Sequence, residues 1–194
     1  PLLLTKPTTL SKATADEIKR VLPAEGTVYV LGGPAAITAG VENAVKALGV
    51  KTVRLAGADR YETAVAVAKE IGTVGTVFLT TGTDYPDALS AGPAAVHVAE
   101  AAVLLTHGSV MAPATAAYLK DHPAKVTYAV GGPAAKAAPS AQAIEGTDRF
   151  ETAVLTAKRF FGDTDTLTFA SGEDFPDALS GGAYAGLVDA RSSC

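Results

Sequence analysis

The chain repeats itself, and that repetition limits its folds more than any other feature of the sequence. Gly57-Ala58-Asp59-Arg60-Tyr61-Glu62-Thr63-Ala64-Val65 returns as Gly146-Thr147-Asp148-Arg149-Phe150-Glu151-Thr152-Ala153-Val154. Gly82-Thr83-Asp84-Tyr85-Pro86-Asp87-Ala88-Leu89-Ser90 returns as Gly172-Glu173-Asp174-Phe175-Pro176-Asp177-Ala178-Leu179-Ser180. Two shorter strings also recur: Leu3-Leu4-Thr5 as Leu104-Leu105-Thr106, and Gly32-Gly33-Pro34-Ala35-Ala36 as Gly131-Gly132-Pro133-Ala134-Ala135. A chain of this kind builds one supersecondary unit more than once and buries the faces of each copy against its neighbours. The order of the motifs makes the frame a permuted one. Residues 1–53 hold the second half of a unit, 54–142 a near-complete unit, and 143–194 the first half of another.

Within the central unit, Thr52–Leu55, Thr76–Thr81, Ala102–Thr106 and Lys125–Val130 are short, apolar and rich in β-branched residues, as buried parallel strands are. Between them run helical patterns. The helix that starts at Asp59 sets Tyr61, Ala64, Val65, Ala68 and Ile71 on one face, and its copy does the same with Phe150, Ala153, Val154, Ala157 and Phe160. Strands alternating with amphipathic helices predict an α/β fold with two Rossmann-like repeat units, each a small parallel β-sheet of about four strands flanked by helices. The helix read over Thr38–Leu48 has no counterpart after the second Gly-Gly pair, where Pro133–Gln142 reads as a short connector. The halves 1–53 and 143–194 complement each other: Leu2–Thr5 reads as the strand that belongs beside Thr166–Ser171. They close within one chain, bringing Pro1 near Cys194, or pair between neighbouring chains; closure within one chain is the expectation.

Hydrophobic residues make up 48% of the chain and charged residues 19%, which supplies a core and excludes a disordered chain. The net charge of −4 argues against a general nucleic-acid binder. No apolar run approaches the roughly 18–20 residues of a membrane span. A single cysteine, Cys194, excludes an internal disulfide framework and a cysteine-based zinc site. Pro1-Leu2-Leu3-Leu4 lacks the basic region of a signal peptide, so the segment reads as a mature chain or part of a longer one.

The motifs divide into structural and candidate binding features. Asp59 with Glu62, and Asp148 with Glu151, have the spacing of a helix-capping box, and Asp84 with Asp87 and Asp174 with Asp177 a looser form of it. Read instead as acid/base or metal pairs, these carboxylates lack a recurring His or third acid beside them. The turns at Gly32-Gly33 and Gly131-Gly132 follow strands and have no acid within four residues, so they are candidates to offer backbone N–H groups to an anion. They match neither a Walker A loop nor a dinucleotide fingerprint. Arg60 and Arg149 recur at the first helical position, where a cation opposes the helix dipole and needs a partner: a neighbouring acid, another unit or a ligand. His97, His107 and His122 do not recur as a set, and no nucleophile–base motif is present. No catalytic residue, metal site or cofactor is assigned.

Ala56-Gly57-Ala58-Asp59-Arg60-Tyr61-Glu62-Thr63-Ala64, Thr81-Gly82-Thr83-Asp84-Tyr85-Pro86-Asp87-Ala88-Leu89-Ser90 and Val30-Leu31-Gly32-Gly33-Pro34-Ala35-Ala36-Ile37 resemble the cell wall-binding repeat 2 family, over essentially the whole chain. The resemblance implies a non-catalytic module of an exported protein, secreted to the Gram-positive cell wall or surface and retained there by an anionic, teichoic-acid-like polymer. It also implies an attached effector domain. Two other classes stand beside it: an α/β protein handling a phosphosugar or nucleotide-sugar at the Gly-Gly turns, and a structural self-association module.

Overall fold

A computed structural model describes residues 2–192, with side chains through residue 186. The chain divides into a unit of Leu2–Val67 and a second unit that begins at Ala68. Both are α/β and all named strand pairs are parallel.

In the first unit, α1 (Lys12–Val21) starts where Ser11 Oγ accepts from the Thr14 N–H at 3.1 Å, a side-chain cap on an otherwise unpaired helical donor. It is followed by β1 (Thr27–Leu31), α2 (Ala39–Lys46) and β2 (Lys51–Leu55). β1 and β2 pair in parallel from Thr27↔Lys51 to Leu31↔Leu55. Helix α3 (Arg60–Ile71) then leads out of this unit.

The second unit holds a four-stranded sheet in the order β4-β3-β5-β6, made of β3 (Thr76–Thr81), β4 (Ala101–Thr106), β5 (Val126–Val130) and β6 (Gln142–Ile144). Its helices are α4 (Pro86–His97), α5 (Pro113–Asp121), α6 (Gly132–Ala137), α7 (Arg149–Phe160) and α8 (Pro176–Ser192). β3 lies between β4 and β5, and Val77, Phe78 and Leu79 are fully buried, which is why this strand reads as a continuous apolar run. Phe78 is the hub of the core: its ring centroid lies 5.4 Å from that of Tyr128 and 5.0 Å from that of Phe160. Helices α4 and α8 pack against each other, and at Gly186 there is no room for a side chain. A Cβ on Gly186 would stand 2.7 Å from Val96 Cβ, and one on Gly182 would stand 3.4 Å from Pro93 Cγ.

The α/β class and the parallel sheets agree with the repeat. Three details differ. The strand Thr52–Leu55, grouped above with the central unit, pairs with β1, and β6, the first strand of the half-unit that opens near residue 143, holds the corresponding place beside β5. Three residues are too few to show a period, so β6 is legible only through the repeat. The connector after Gly131 contains the short helix α6. Finally, neither Leu2–Thr5 nor 166–171 belongs to a ladder, so the first unit has a two-stranded sheet among the described residues rather than one of about four. The expected approach of Pro1 to Cys194 lies outside the described residues.

The two copies of the capped helix also bury different amounts of the predicted face. On α3, Val65 is 9% exposed and Ala68 is fully buried, as the period predicts, while Ile71 at the end of the same face is 48% exposed. On α7, Phe150 is 54% and Val154 51% exposed. There Thr152 and Thr156 are buried, while Leu155, Phe160 and Phe161 pack on the core of Phe78, Ala91, Ala94 and Ile144. Period identifies an amphipathic stripe but not the neighbour that covers it.

Phe78→Ala removes the ring on which Tyr128 and Phe160 pack and is expected to cost about 3–5 kcal/mol, read as a fall in the denaturant midpoint of the variant.

Candidate functional site

The first motif is a closed local structure. Asp59 Oδ1 accepts from the Glu62 N–H at 2.8 Å, and Asp148 Oδ1 from the Glu151 N–H at 2.8 Å. Each glutamate reaches back past the cap to the preceding residue. Glu62 Oε2 accepts from the Ala58 N–H at 2.8 Å, and Glu151 Oε2 from the Thr147 N–H at 2.6 Å. The Thr147 N–H, with the Thr147 hydroxyl, holds the Glu151 carboxyl below its ordinary value. The leading glycine makes room for the returning side chain: a Cβ on Gly57 would lie 2.0 Å from Glu62 Cβ, and one on Gly146 would lie 2.6 Å from Glu151 Cβ. A threonine closes the loop. Thr63 Oγ1 accepts from the Gly57 N–H at 3.1 Å and donates to the Asp59 carbonyl at 2.8 Å, and Thr152 repeats both bonds at 3.0 Å. Gly, Asp, Glu and Thr are thereby explained by helix initiation. The arginine and the aromatic residue are not.

Arg149 shows what the arginine does in the second copy. Its Nη1–H donates to the Gly172 carbonyl at 3.0 Å, its Nη2 lies 3.8 Å from Asp84 Oδ2, and its Cζ stands 5.9 Å from the Tyr85 ring centroid. The Tyr85 hydroxyl donates to the Glu173 carbonyl at 2.8 Å, and the Tyr85 and Phe175 rings lie 5.5 Å apart. Arg149 and Tyr85 therefore join the two copies of the Gly-x-Asp-aromatic-Pro-Asp motif. Phe150 sits beneath this junction, where a Cβ on Gly172 would come within 2.6 Å of its ring. The Arg149 side chain is 35% exposed.

The looser acidic pairs are built differently from the capping box. The cap residue of α4 is Tyr85, with no side-chain cap bond, while Asp84 Oδ1 accepts from the Tyr85 N–H at 2.9 Å. Asp174 does the same with the Phe175 N–H at 2.8 Å. Asp87 turns inward, toward the Gly131 turn: a Cβ on Gly131 would lie 1.8 Å from Asp87 Oδ2. Burial, with Asp84 adding to it and Arg149 opposing it, raises the Asp87 carboxyl above its ordinary value.

The Gly-Gly turns are less open to an anion than their sequence suggests. The Gly32 N–H donates to the Leu55 carbonyl at 2.8 Å and the Gly131 N–H to the Ile144 carbonyl at 2.9 Å, so each first glycine extends its ladder. Both have positive φ, 97° and 88°. Any backbone donation to a ligand falls to Gly33 and Gly132, and at the second turn the Asp87 carboxylate lies alongside. At the first turn, Arg54 supplies contacts that its sequence context gave no means of assigning. Its Nη1–H donates to the Gly32 carbonyl at 2.6 Å and its Nη2–H to the Ile37 carbonyl at 3.0 Å. Its Nε–H donates to Glu42 Oε2 at 2.7 Å. Glu42, bonded to both Lys46 and Arg54, is held below the usual carboxylate range. Arg60 stands at the first residue of α3 in the first unit, and the structure brings Arg149 together with the second motif of its own unit. Among the described residues no group of three or more His, Cys, Asp or Glu could hold a metal ion, and no helix is long and apolar enough to cross a membrane.

Repeated α/β units, whose recurring acids start helices and whose Arg149 and Tyr85 tie one motif copy to the next, define a repeat-built module. Its sequence matches the model of Cell wall binding domain 2 over residues 54–138 and 143–191, more than half of its length, and the chain belongs to that family. It is 30% identical over 191 residues to N-acetylmuramoyl-L-alanine amidase LytC of Bacillus subtilis, covering 95% of this chain and 38% of that protein. It is 28% identical over 194 residues to the Amidase enhancer of the same organism, covering 95% of this chain and 26% of that protein. The chain thus spans well under half the length of either relative. Among solved structures, Cwp8 from Clostridium difficile superposes with a TM-score of 0.83 at 24% identity, over 97% of this chain and 35% of that one. Cwp6 from the same organism gives 0.75 at 24% identity, over 84% and 28%. These two likenesses establish the fold.

Two outcomes test this geometry. Asp148→Ala leaves the Glu151 N–H without its acceptor and is expected to cost about 1 kcal/mol in chemical denaturation. Asp87 has a raised carboxyl pKa in the folded chain, so the native state holds its proton more tightly than the unfolded state. Its contribution to stability is full at low pH and declines as pH rises from the ordinary value of 3.8 through the raised one. Asp87→Asn is therefore expected to flatten the dependence of Tm on pH just above that value.

Proposed function

We propose that the chain is a non-catalytic module that retains an exported protein in the Gram-positive wall by binding an anionic, teichoic-acid-like polymer. The attached domain supplies any enzymatic activity. Membership of a cell wall binding domain family carries this reading. The named relatives support an association with amidase function, and both are much longer than this chain.

The charge on the chain requires the attraction to be local. With a net charge of −4 the protein as a whole repels a polyanion, so the contact depends on a few placed cations. Arg60 and Arg149 are the best placed, because they recur at a helix start whose capping does not use them. At Arg149 the guanidinium is held in position from one side by Gly172, Asp84 and Tyr85. A side chain already ordered loses less freedom when it meets a ligand. A phosphosugar site at the Gly-Gly turns has less support, since the Gly32 and Gly131 N–H groups lie in ladders and Asp87 stands at the second turn.

The test is sedimentation of the chain with isolated walls, with and without extraction of the anionic polymer. Binding is expected to fall on extraction and to weaken with salt, since exposed charges are screened over about 8 Å at physiological ionic strength. Arg60→Gln with Arg149→Gln is expected to weaken it several-fold, exposed ion pairs contributing up to about 1 kcal/mol each. Tyr85→Phe removes the bond to Glu173 without changing charge and is expected to leave binding intact. Equal binding to extracted walls would refute the polymer assignment.

A further inference from the structure

We propose that the end of the first unit at which α1 and α2 finish and β1 and β2 begin is a second contact surface for the anionic polymer, presented by Lys19, Arg20, Lys46 and Lys51. This surface presupposes the wall-polymer reading above and adds a place to it. All four residues lie inside the unit Leu2–Val67.

In a parallel α/β unit each helix runs back against the strands, so helix C-termini and strand N-termini share one end. Lys19 and Arg20 occupy the last turn of α1, Lys46 the last turn of α2, and Lys51 opens β2. Backbone bonds bring these pieces to one place. Lys51 pairs with Thr27 at the start of β1, and its N–H donates to the carbonyl of Gly26, in the turn after α1, at 3.0 Å. All four residues are exposed. Arg20 is paired with Glu17 and Lys46 with Glu42, yet their side chains remain 71% and 51% exposed. Lys19 and Lys51 enter no ion pair among the described residues. Among the described residues, the acid at this end is Glu25, in the turn before β1.

A cation in the last turn of a helix is favourable to the helix dipole, which would by itself explain three of the four. The second unit tests that explanation. Thr14 Oγ1 donates to the Leu4 carbonyl at 2.9 Å and Thr115 Oγ1 to the Leu105 carbonyl at 2.7 Å, so α1 and α5 align residue for residue. Lys19 then corresponds to Lys120, and Arg20 to Asp121, an acid where the dipole favours a cation. The strand registers Tyr29↔Val53 and Tyr128↔Gln142 set Lys51 against Ser140. Lys46 lies on α2, the helix that has no counterpart in the second copy. The cations found at this end of the second unit, Lys120 and Lys125, stand with acids. Asp121 adjoins Lys120, and Glu100 lies beside Gly75, whose carbonyl accepts from the Lys125 N–H at 2.9 Å. The shared architecture therefore does not require the cluster, and helix stability does not account for it.

Exposed cations on long stems suit a chain of repeated charges better than a single small anion. Each contact with water on its flanks is weak, and several made to one linked ligand act together. On a protein of net charge −4, this is also where the sign reverses: residues 1–53 carry six Lys and Arg against four Asp and Glu.

The test is sedimentation with isolated walls, with and without extraction of the polymer, using two variants of the whole chain that change its net charge equally. Lys19→Gln with Lys51→Gln, which breaks no ion pair, is expected to weaken binding at least about fivefold with its circular dichroism unchanged. Its binding is also expected to depend less steeply on salt, since fewer counterions are released. Lys120→Gln with Lys125→Gln is expected to bind like the parent. Equal losses in the two variants would make net charge the cause and overturn the proposal. So would unchanged binding of the Lys19→Gln, Lys51→Gln variant when the parent still loses binding on extraction, a result that leaves the polymer reading standing. A parent that binds extracted walls equally well overturns both.

Discussion

A glutamate folded back over a glycine governs how this chain turns from strand to helix. At Gly57 and at Gly146 any side chain would occupy the space that Glu62 and Glu151 fill. The glutamate holds the N–H before the cap, the aspartate holds the N–H three residues beyond itself, and the threonine ties the glycine to the carbonyl of the cap. The entry angle of α3 and α7 is set by these bonds. In the second copy that angle carries Arg149 to Asp84, Tyr85 and Gly172. The contact between motif copies is thus a consequence of how the helix begins.

The capped helices and the strands β2, β3, β4 and β5 are legible because each rests on local chemistry: a carboxylate at fixed spacing, or a run of apolar β-branched residues. What was not legible depends on neighbours distant in sequence. β6, three residues long, shows in sequence only through the repeat, and its pairing depends on Tyr128, Ala129 and Val130 beside it. Arg54 looks like any strand arginine until Gly32, Ile37 and Glu42 are brought around it. The stripe on α7 has the period of a buried face and is exposed at Phe150 and Val154, since period says nothing about the surface opposite.

The binding candidates divide along the same line. The Gly-Gly turns were attractive as donors because their sequence hides where the first N–H points; the sheet takes it in both copies. The spacing of Asp87 fits a cap, yet its side chain turns toward Gly131, where burial disfavours its charge. The arginines keep their interest because no bond of the capping loop depends on them. A shift in wall affinity on replacing them thus reports on charge with little interference from helix initiation.

The closed capping loop has a bearing on how such a protein could have grown by duplication. All its partners lie within seven consecutive residues, from Gly57 to Thr63 and from Gly146 to Thr152. A copied segment therefore brings its own helix start and needs nothing from its new surroundings to form it. Positions that the loop needs for no side-chain chemistry can drift with their setting, as the changes from Ala58 to Thr147 and from Tyr61 to Phe150 show, while the glycine, aspartate, glutamate and threonine stay the same. What sequence comparison detects most readily in this chain is thus the grammar of helix initiation, and the two copies remain free to diverge in what they touch.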